Sequence, residues 1–318
     1  MIRSELVEQS RLMMKEGSKS FAAASRLFDH ATRERVWLLY AWCRRCDDLT
    51  DSQELGGTLG EQNDISAKVE YLRSMTAQAL SGNETGDVAF DAFGLVASEC
   101  GLTLADADAV IKGFQLDAEE WRPQDDYDLM RYCWHVAGAV GVMMALVMGV
   151  NRKDSDTLDK ACDLGLAFQI ANISRDLMED HAVGRCYIPQ KWLNQFKIQP
   201  QEFAATTNRE QLAAIVARLI KRMEEHAKSS RLGAARLPFR SRWAILSAAR
   251  IYTAIGREVL SRGSNAWDNR VFTSKIQKLA HVLVAFCEAL INRPSPLEIQ
   301  PRWRRSDLAV GDARNLMH

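Results

Sequence analysis

The first proline in this 318-residue chain is Pro123, and six more follow it. Proline lacks a backbone N–H and clashes with the preceding turn, so its absence leaves the first 122 residues free to run as helices. The alternating β-branched runs that mark strands are missing. Apolar residues recur instead at helical spacing, as in Val36, Leu38, Leu39, Trp42 and Cys43. The periodicity predicts helices over 4–28, 32–50, 64–81, 88–100, 104–120, 126–149, 155–180, 208–231, 240–262 and 272–290, with loops at 52–63, 82–86, 122–125 and 189–200. The fold class is therefore all-α. Neither an internal repeat nor a Pro/Gly/Ser-rich linker divides the chain, so residues 1–292 form one domain. The tail 293–318 holds three of the seven prolines and little periodicity, and is expected to be flexible.

Residues 132–151 carry no formal charge with His135 neutral, and Val136–Val150 is wholly apolar or glycine. A membrane span needs about 20 predominantly apolar residues. This run is shorter and interrupted by Gly138, Gly141 and Gly149, which fits a central buried helix. Ala137, Gly138 and Gly141 either admit a neighbouring helix or leave space for a ligand. Lysine plus arginine (41) equals aspartate plus glutamate (41), which excludes a global field for nucleic acid. The start, MIRSELVEQSRLMMKEG, has no apolar secretory core, and seven cysteines without framework spacing fit reduced thiols in the cytoplasm. Cys43 and Cys46 form a lone CxxC, read as two packed helical thiols. No GxxxxGK[ST] or GxGxxG occurs, and the six histidines are scattered.

Two acidic stretches about 130 residues apart carry the chemistry: CDDLTD, ending at Asp51, and NISRDLMED, ending at Asp180. On helices, Asp47 and Asp51 form one row of oxygen ligands, and Asn172, Asp176 and Asp180 form another. A single DDxxD is more often a cap or a solvated face. Two rows, each set in apolar sequence and flanked by arginine (Arg44 and Arg45; Arg175 and Arg185), point to hard divalent cations holding a diphosphate. Cations neutralise such a leaving group, and arginines clamp it. An allylic cation left behind needs a dry aromatic-lined cavity, for which Phe21, Tyr40, Trp42, Tyr132, Trp134, Phe168 and Tyr252 are candidate walls.

GSKSF at 17–21, YAWCRRCDDLTD at 40–51, YCWHVAGAVG at 132–141 and FQIANISRDLMEDHAVGRCYIP at 168–189 resemble the signatures of the squalene/phytoene synthase family, in family order. GSKSFAAASRLFD with LYAWCRRCDD is most similar to the family's bacterial phytoene synthases of carotenoid pathways. The resemblance implies an all-α isoprenoid-synthase fold with a central cavity, its catalytic domain at 1–292. It implies a prenyltransferase joining two geranylgeranyl diphosphates head to head through prephytoene diphosphate to phytoene, without NADPH. Its cofactor would be Mg²⁺ or Mn²⁺, about two to three ions. Carried over, the metal ligands are Asp47, Asp51, Asn172, Asp176 and Asp180. Diphosphate contacts are Ser18, Ser20, Arg44, Arg175 and Arg270, with Tyr252 nearby, and walls include Phe21, Tyr40, Tyr132, Ala137, Gly141 and Gln169. Thr50 departs from the usual aliphatic residue but lies off the Asp47–Asp51 face. The alternative is a squalene or dehydrosqualene synthase using farnesyl diphosphate. So apolar a product implies peripheral membrane contact, for which the basic segment Arg218–Arg242 is a candidate.

Overall fold

The computed structural model describes residues 1–50, 65–294 and 303–309. Asp51 and the loop expected at 52–63 lie outside them, as does most of the 293–318 tail. Among the described residues there are helices and no strands. The helices are α1 (Arg3–Gly17), α2 (Lys19–Ser25), α3 (His30–Thr50), α4 (Ile65–Leu80), α5 (Val88–Cys100), α6 (Leu104–Ala118), α7 (Asp126–Cys133), α8 (Ala139–Val147), α9 (Ser155–Arg175), α10 (Leu177–Ala182), α11 (Gln190–Gln195), α12 (Arg209–Ala234), α13 (Phe239–Arg262), α14 (Lys275–Ile291) and α15 (Arg305–Ala309).

Local chemistry sets many of these ends. Asp87 accepts the Ala89 N–H at 2.9 Å to start α5. Gly101, at φ +68°, ends that helix in the left-handed conformation that suits glycine. Thr103 and Asp106 form a reciprocal capping box on α6.

Three expected helices are interrupted, each at a motif. The 4–28 helix breaks at Ser18, which turns extended and caps α2 by accepting the Phe21 N–H at 3.3 Å. The 126–149 helix passes through a π-helical turn, Trp134–Gly138. The 155–180 helix breaks at Asp176. The backbone ladder nonetheless crosses this last break: the Asp176 N–H donates to the Asn172 carbonyl and the Asp180 N–H to the Asp176 carbonyl, both at 2.8 Å. The four-residue stepping of the second acid row thus survives the kink.

The stretch Asp126–Val147 is long and apolar enough to cross a membrane, yet two-thirds of its most apolar window is buried inside the protein. It packs with α9, which is also flanked by α12 and α13. The glycines decide between the two roles left open for them. A Cβ on Gly141 would strike the Ala161 carbonyl, and one on Gly165 the Ala137 carbonyl. The backbones of α8, the π turn and α9 touch directly. α9 and α12 are joined by a buried polar knot in which Asp163 faces His226 Nδ1 at 2.8 Å and accepts from Ser229 Oγ at 2.5 Å.

Within the tail, residues 303–309 dock on the domain. Leu308 is fully buried, the Tyr127 hydroxyl donates to the Asp307 carbonyl at 2.7 Å, and Arg305 pairs with Asp159 at 2.9 Å. One buried leucine and an ion pair hold this stretch against the domain.

Gly165→Ala should cost about 1–3 kcal/mol, the range for overpacking a tight contact. Urea denaturation measures it. An unchanged midpoint would mean that the glycine is not needed for the helix approach.

Candidate active site

A cavity of about 550 Å³ lies between α1, α2, α3, α8, α9, α12 and α13. Its lining is mostly apolar, with Met14, Phe28, Leu39, Val140, Met144, Leu164 and Ile245 among the walls. α9 contributes a stripe from Thr157 through Lys160, Ala161, Leu164, Gly165, Phe168 and Gln169 to Asn172. Fifteen residues of helix span about 22 Å, so the cavity is long. It opens where Phe21 is 48% exposed and closes where Thr157, Lys160, Ser230 and Leu237 are buried.

The first acid row enters at the open end. Arg44 Nη1 donates to Asp47 at 2.7 Å, and both residues line the cavity with Tyr40. Gly17 makes the room: a Cβ there would lie 2.7 Å from the Tyr40 hydroxyl and 3.6 Å from Arg44 Nε. That hydroxyl and that Nε are buried, and neither makes a hydrogen bond of proper geometry. Buried polar atoms normally find partners. Two donors left over beside one carboxylate suit the oxygens of a bound anion. Arg45, by contrast, points away and pairs with Asp87 at 2.7 Å. Thr50 turns its hydroxyl back to the Cys46 and Asp47 carbonyls, at 2.9 and 3.0 Å. Cys46 is buried, and burial pushes the Cys43 thiol up to about 12, which leaves the CxxC pair as packed thiols.

The second row lies at the same end. Asn172 lines the cavity, and Asp176 follows one turn later. Arg175 Nε donates to Asp176 at 2.7 Å, and Arg270 Nη2 reaches the same carboxylate at 2.9 Å. Two arginines named separately as diphosphate contacts thus converge on one acid. Arg270 is also brought close although no helical periodicity links it to the row. Tyr252 stacks on Phe168 with centroids 4.0 Å apart, and both line the wall. Burial raises the Tyr252 phenol, so it stays neutral, although the nearby Arg175 acts the other way.

Of the sequence candidates, Phe21, Tyr40, Arg44, Asp47, Ala137, Gly141, Phe168, Gln169, Asn172 and Tyr252 line this one cavity. Ser18 lies beside it as a helix cap. The Ser20 side chain and Asp51 fall outside what is described. Tyr132 is not on the wall. It is buried against Tyr187 (4.6 Å between centroids), and both hydroxyls donate to Asp117, at 2.8 and 2.7 Å. Trp42 is also core, stacked on Phe93 at 4.3 Å.

Two residues escaped the sequence reading. Asp117 of α6 adds a third carboxylate to the field felt by Asp180. Lys160 closes the far end, its ammonium donating to Asp156 at 2.6 Å. In sequence that pair is an ordinary i,i+4 surface bridge, so nothing marked it.

The ligand set is oxygen only, which suits hard cations. Burial first, then the neighbouring Asp176, push Asp180 up to about 7, with Arg185 opposing. A carboxylate held among carboxylates is the environment that a divalent cation relieves, so the residues fit such a group. An unfolded aspartate titrates near ~3.9, so the native state binds this proton more tightly, and stability falls as pH rises between ~4 and ~7. Below about 7 the proton also competes with a cation. Mg²⁺ should therefore raise the Tm more at pH 8 than at pH 6, and Asp180→Asn should flatten the difference. Equal increments in both proteins at both pH values would remove Asp180 from the cation site.

Similarity to known proteins gives the family and the fold. A sequence-family model described as squalene/phytoene synthase matches residues 14–277. The chain is 42% identical to a phytoene synthase of Pseudescherichia vulneris, over 96% of this chain and 99% of that one. It is 42% identical to a 15-cis-phytoene synthase of Pantoea ananas, over 92% and 95%. Among solved structures, a dehydrosqualene synthase in complex with a ligand superposes with a TM-score of 0.78 at 26% identity, covering 89% of this chain and 96% of that one. A squalene synthase from Alicyclobacillus acidocaldarius, at 21% identity, superposes at 0.73 over 82% and 95% and shows the shared fold. With a matching family model over most of its length and near-full-length relatives above 40% identity, the chain belongs to the squalene/phytoene synthase family.

Proposed function

We propose that this protein is a phytoene synthase, a prenyltransferase that condenses two geranylgeranyl diphosphates head to head through prephytoene diphosphate. The observation that carries the reaction class is a long apolar cavity whose open end holds Arg44, Asp47 and Asn172, with Arg175 on Asp176 one turn beyond. The near-full-length similarity to 15-cis-phytoene synthases favours this reading over a farnesyl-using alternative.

Asp47, Asn172, Asp176 and Asp180 would hold Mg²⁺ or Mn²⁺ together with the substrate's diphosphate. When bound, such cations neutralise the leaving group as its C–O bond breaks. The chain's own donors do the rest. Arg44 Nε and the Tyr40 hydroxyl are placed to hydrogen-bond diphosphate oxygens, and Arg175 and Arg270 can turn from Asp176 to do the same. Phe168 and Tyr252 present ring faces that stabilise positive charge left on the allyl group. The apolar walls exclude the water that would capture that cation. With no hydride donor in the reaction, the rearranged cation ends by losing a proton, which leaves a central double bond. The reading also places the enzyme in the cytoplasm, where free cysteines persist, with membrane contact for release of an insoluble product.

Radiolabelled C20 diphosphate should give phytoene in buffer free of any nicotinamide, faster than C15 diphosphate gives a C30 product. Strict dependence on NADPH would overturn the reading.

Ala137 lines the cavity on the π turn, so Ala137→Phe should shorten the space for the longer tail and reduce C20 turnover more than C15 turnover. Competition between the two labelled substrates measures the ratio, and equal losses would remove Ala137 from the length-setting wall.

A further inference from the structure

We propose that the outward face of α14 docks on an anionic lipid bilayer. This deepens the functional reading, since a hydrocarbon product must leave for lipid. Of the 17 large apolar side chains exposed among the described residues, eight lie between Phe272 and Ile291. Phe272, Ile276 and Ile291 are 78%, 82% and 78% exposed. Ile276, Leu279, Leu283 and Leu290 follow one another at helical spacing, so the exposure forms a stripe. Contiguous exposed patches of this kind mark interaction surfaces.

Charge selects the partner. α14 carries three formal charges: Lys275, Lys278 and Glu288. Glu288 is turned inward, paired with Arg231 at 3.0 Å and Arg250 at 2.6 Å. The outward face thus offers no carboxylate, while Lys275 stands exposed at one end and Arg293 just beyond the other. A second copy packed on this stripe would set basic ends against basic ends whichever way the helices ran. An anionic headgroup layer satisfies those cations while the stripe enters the acyl boundary.

The basic residues of 218–242, the other candidate, are largely used inside the protein. Arg222 pairs with Asp126, Arg231 with Glu288 and Arg236 with Asp156, while Arg240 and Arg242 donate to carbonyls of Leu27 and Ala289.

Position supports the same partner. Ala285 and Ala289 seat α14 closely on α13. The Trp243 indole donates to the Val282 carbonyl at 2.8 Å. α13, which seats α14, also walls the cavity through Ala244, Ile245, Ala248 and Tyr252, so one helix separates the product from the lipid face. Seventeen residues make about 26 Å of helix with one side buried, which lies along a membrane and does not cross it.

The test is flotation of the full chain with vesicles of phosphatidylcholine, alone or mixed with phosphatidylglycerol. The protein should float with the mixed vesicles, less so at high salt. Leu279→Glu combined with Leu283→Glu should lower partitioning at least about tenfold, with circular dichroism unchanged. Should that variant misfold, Cys287 provides a readout in the unmutated chain, being the exposed cysteine of the seven. An environment-sensitive dye there should shift to the blue on vesicle addition.

Flotation without the dye shift, or equal flotation of the folded double variant, would overturn the assignment. So would a dimer that the substitutions split while lipid binding persists. None of these measurements uses turnover, so a chain that docks in this way but makes no C40 hydrocarbon would sink the substrate reading and leave the surface standing.

Discussion

α9 carries the apolar wall and the amide of the second row and ends at its first acid, and it can do so only because its backbone lies against that of the π turn and α8. Gly141 facing the Ala161 carbonyl and Gly165 facing the Ala137 carbonyl set that separation. A side chain at either position would push α9 outward. Since Leu164, Phe168 and Asn172 ride on the same helix, wall and ligand would shift together. The Asp163–His226–Ser229 knot fixes the opposite flank of α9 against α12. A buried, fully bonded polar group of this kind specifies one register of packing, because a slip would leave its members unpaired. The active-site end of α9 is thus positioned by contacts that take no part in chemistry.

The cavity's two ends pose opposite electrostatic problems. At the open end, acids stand in both helical rows, and the protein folds arginines onto them: Arg44 on Asp47, Arg175 and Arg270 on Asp176. Guanidiniums suit phosphate oxygens as well as carboxylates, which is the role proposed above for these three. Asp180 lies deeper, and burial first, then Asp176, raise its affinity for a proton against the opposing charge of Arg185. At the closed end, Lys160 lies along an apolar wall with its ammonium drawn out to Asp156. Its methylenes serve as wall and its charge stays outside, which is how a long cationic side chain borders an apolar space at low cost.

Much of this was legible in the sequence. The α5 boundaries, 88–100, were fixed by the cap at Asp87 and the glycine at 101, local signals that need no tertiary partner. Ten of the candidate residues share one cavity because helical stepping and the family motifs both carry through tertiary packing. What the sequence hid has physical causes. The breaks at Ser18 and Asp176 leave the ladder nearly intact, so hydrophobic periodicity runs across them unchanged. The π turn shifts hydrogen bonds by one residue at a place where Ala137, Gly138 and Gly165 meet, and small residues leave no periodic trace of a shift. Tyr132 looked like a wall because aromatic residues near a site commonly are, but its hydroxyl needed a buried acceptor and found Asp117.

The same distinction governs the surface. The Arg218–Arg242 segment read as basic because sequence counts charges and not partners. In three dimensions those guanidiniums tie α12 and α13 to α7, α9, α14 and the end of α2. In sequence α14 is only one more helix, predicted over 272–290. Its buried side proved to be the one with Ala285 and Ala289, and the larger apolar residues were left outside. An exposed leucine alone means little, but a helix that buries alanine and exposes isoleucine, leucine and phenylalanine has its apolar face reversed relative to the core. Burial of that face requires something other than this domain. Since α13 both seats α14 and walls the cavity, whatever covers the face comes within one helix of the space where the product is proposed to form.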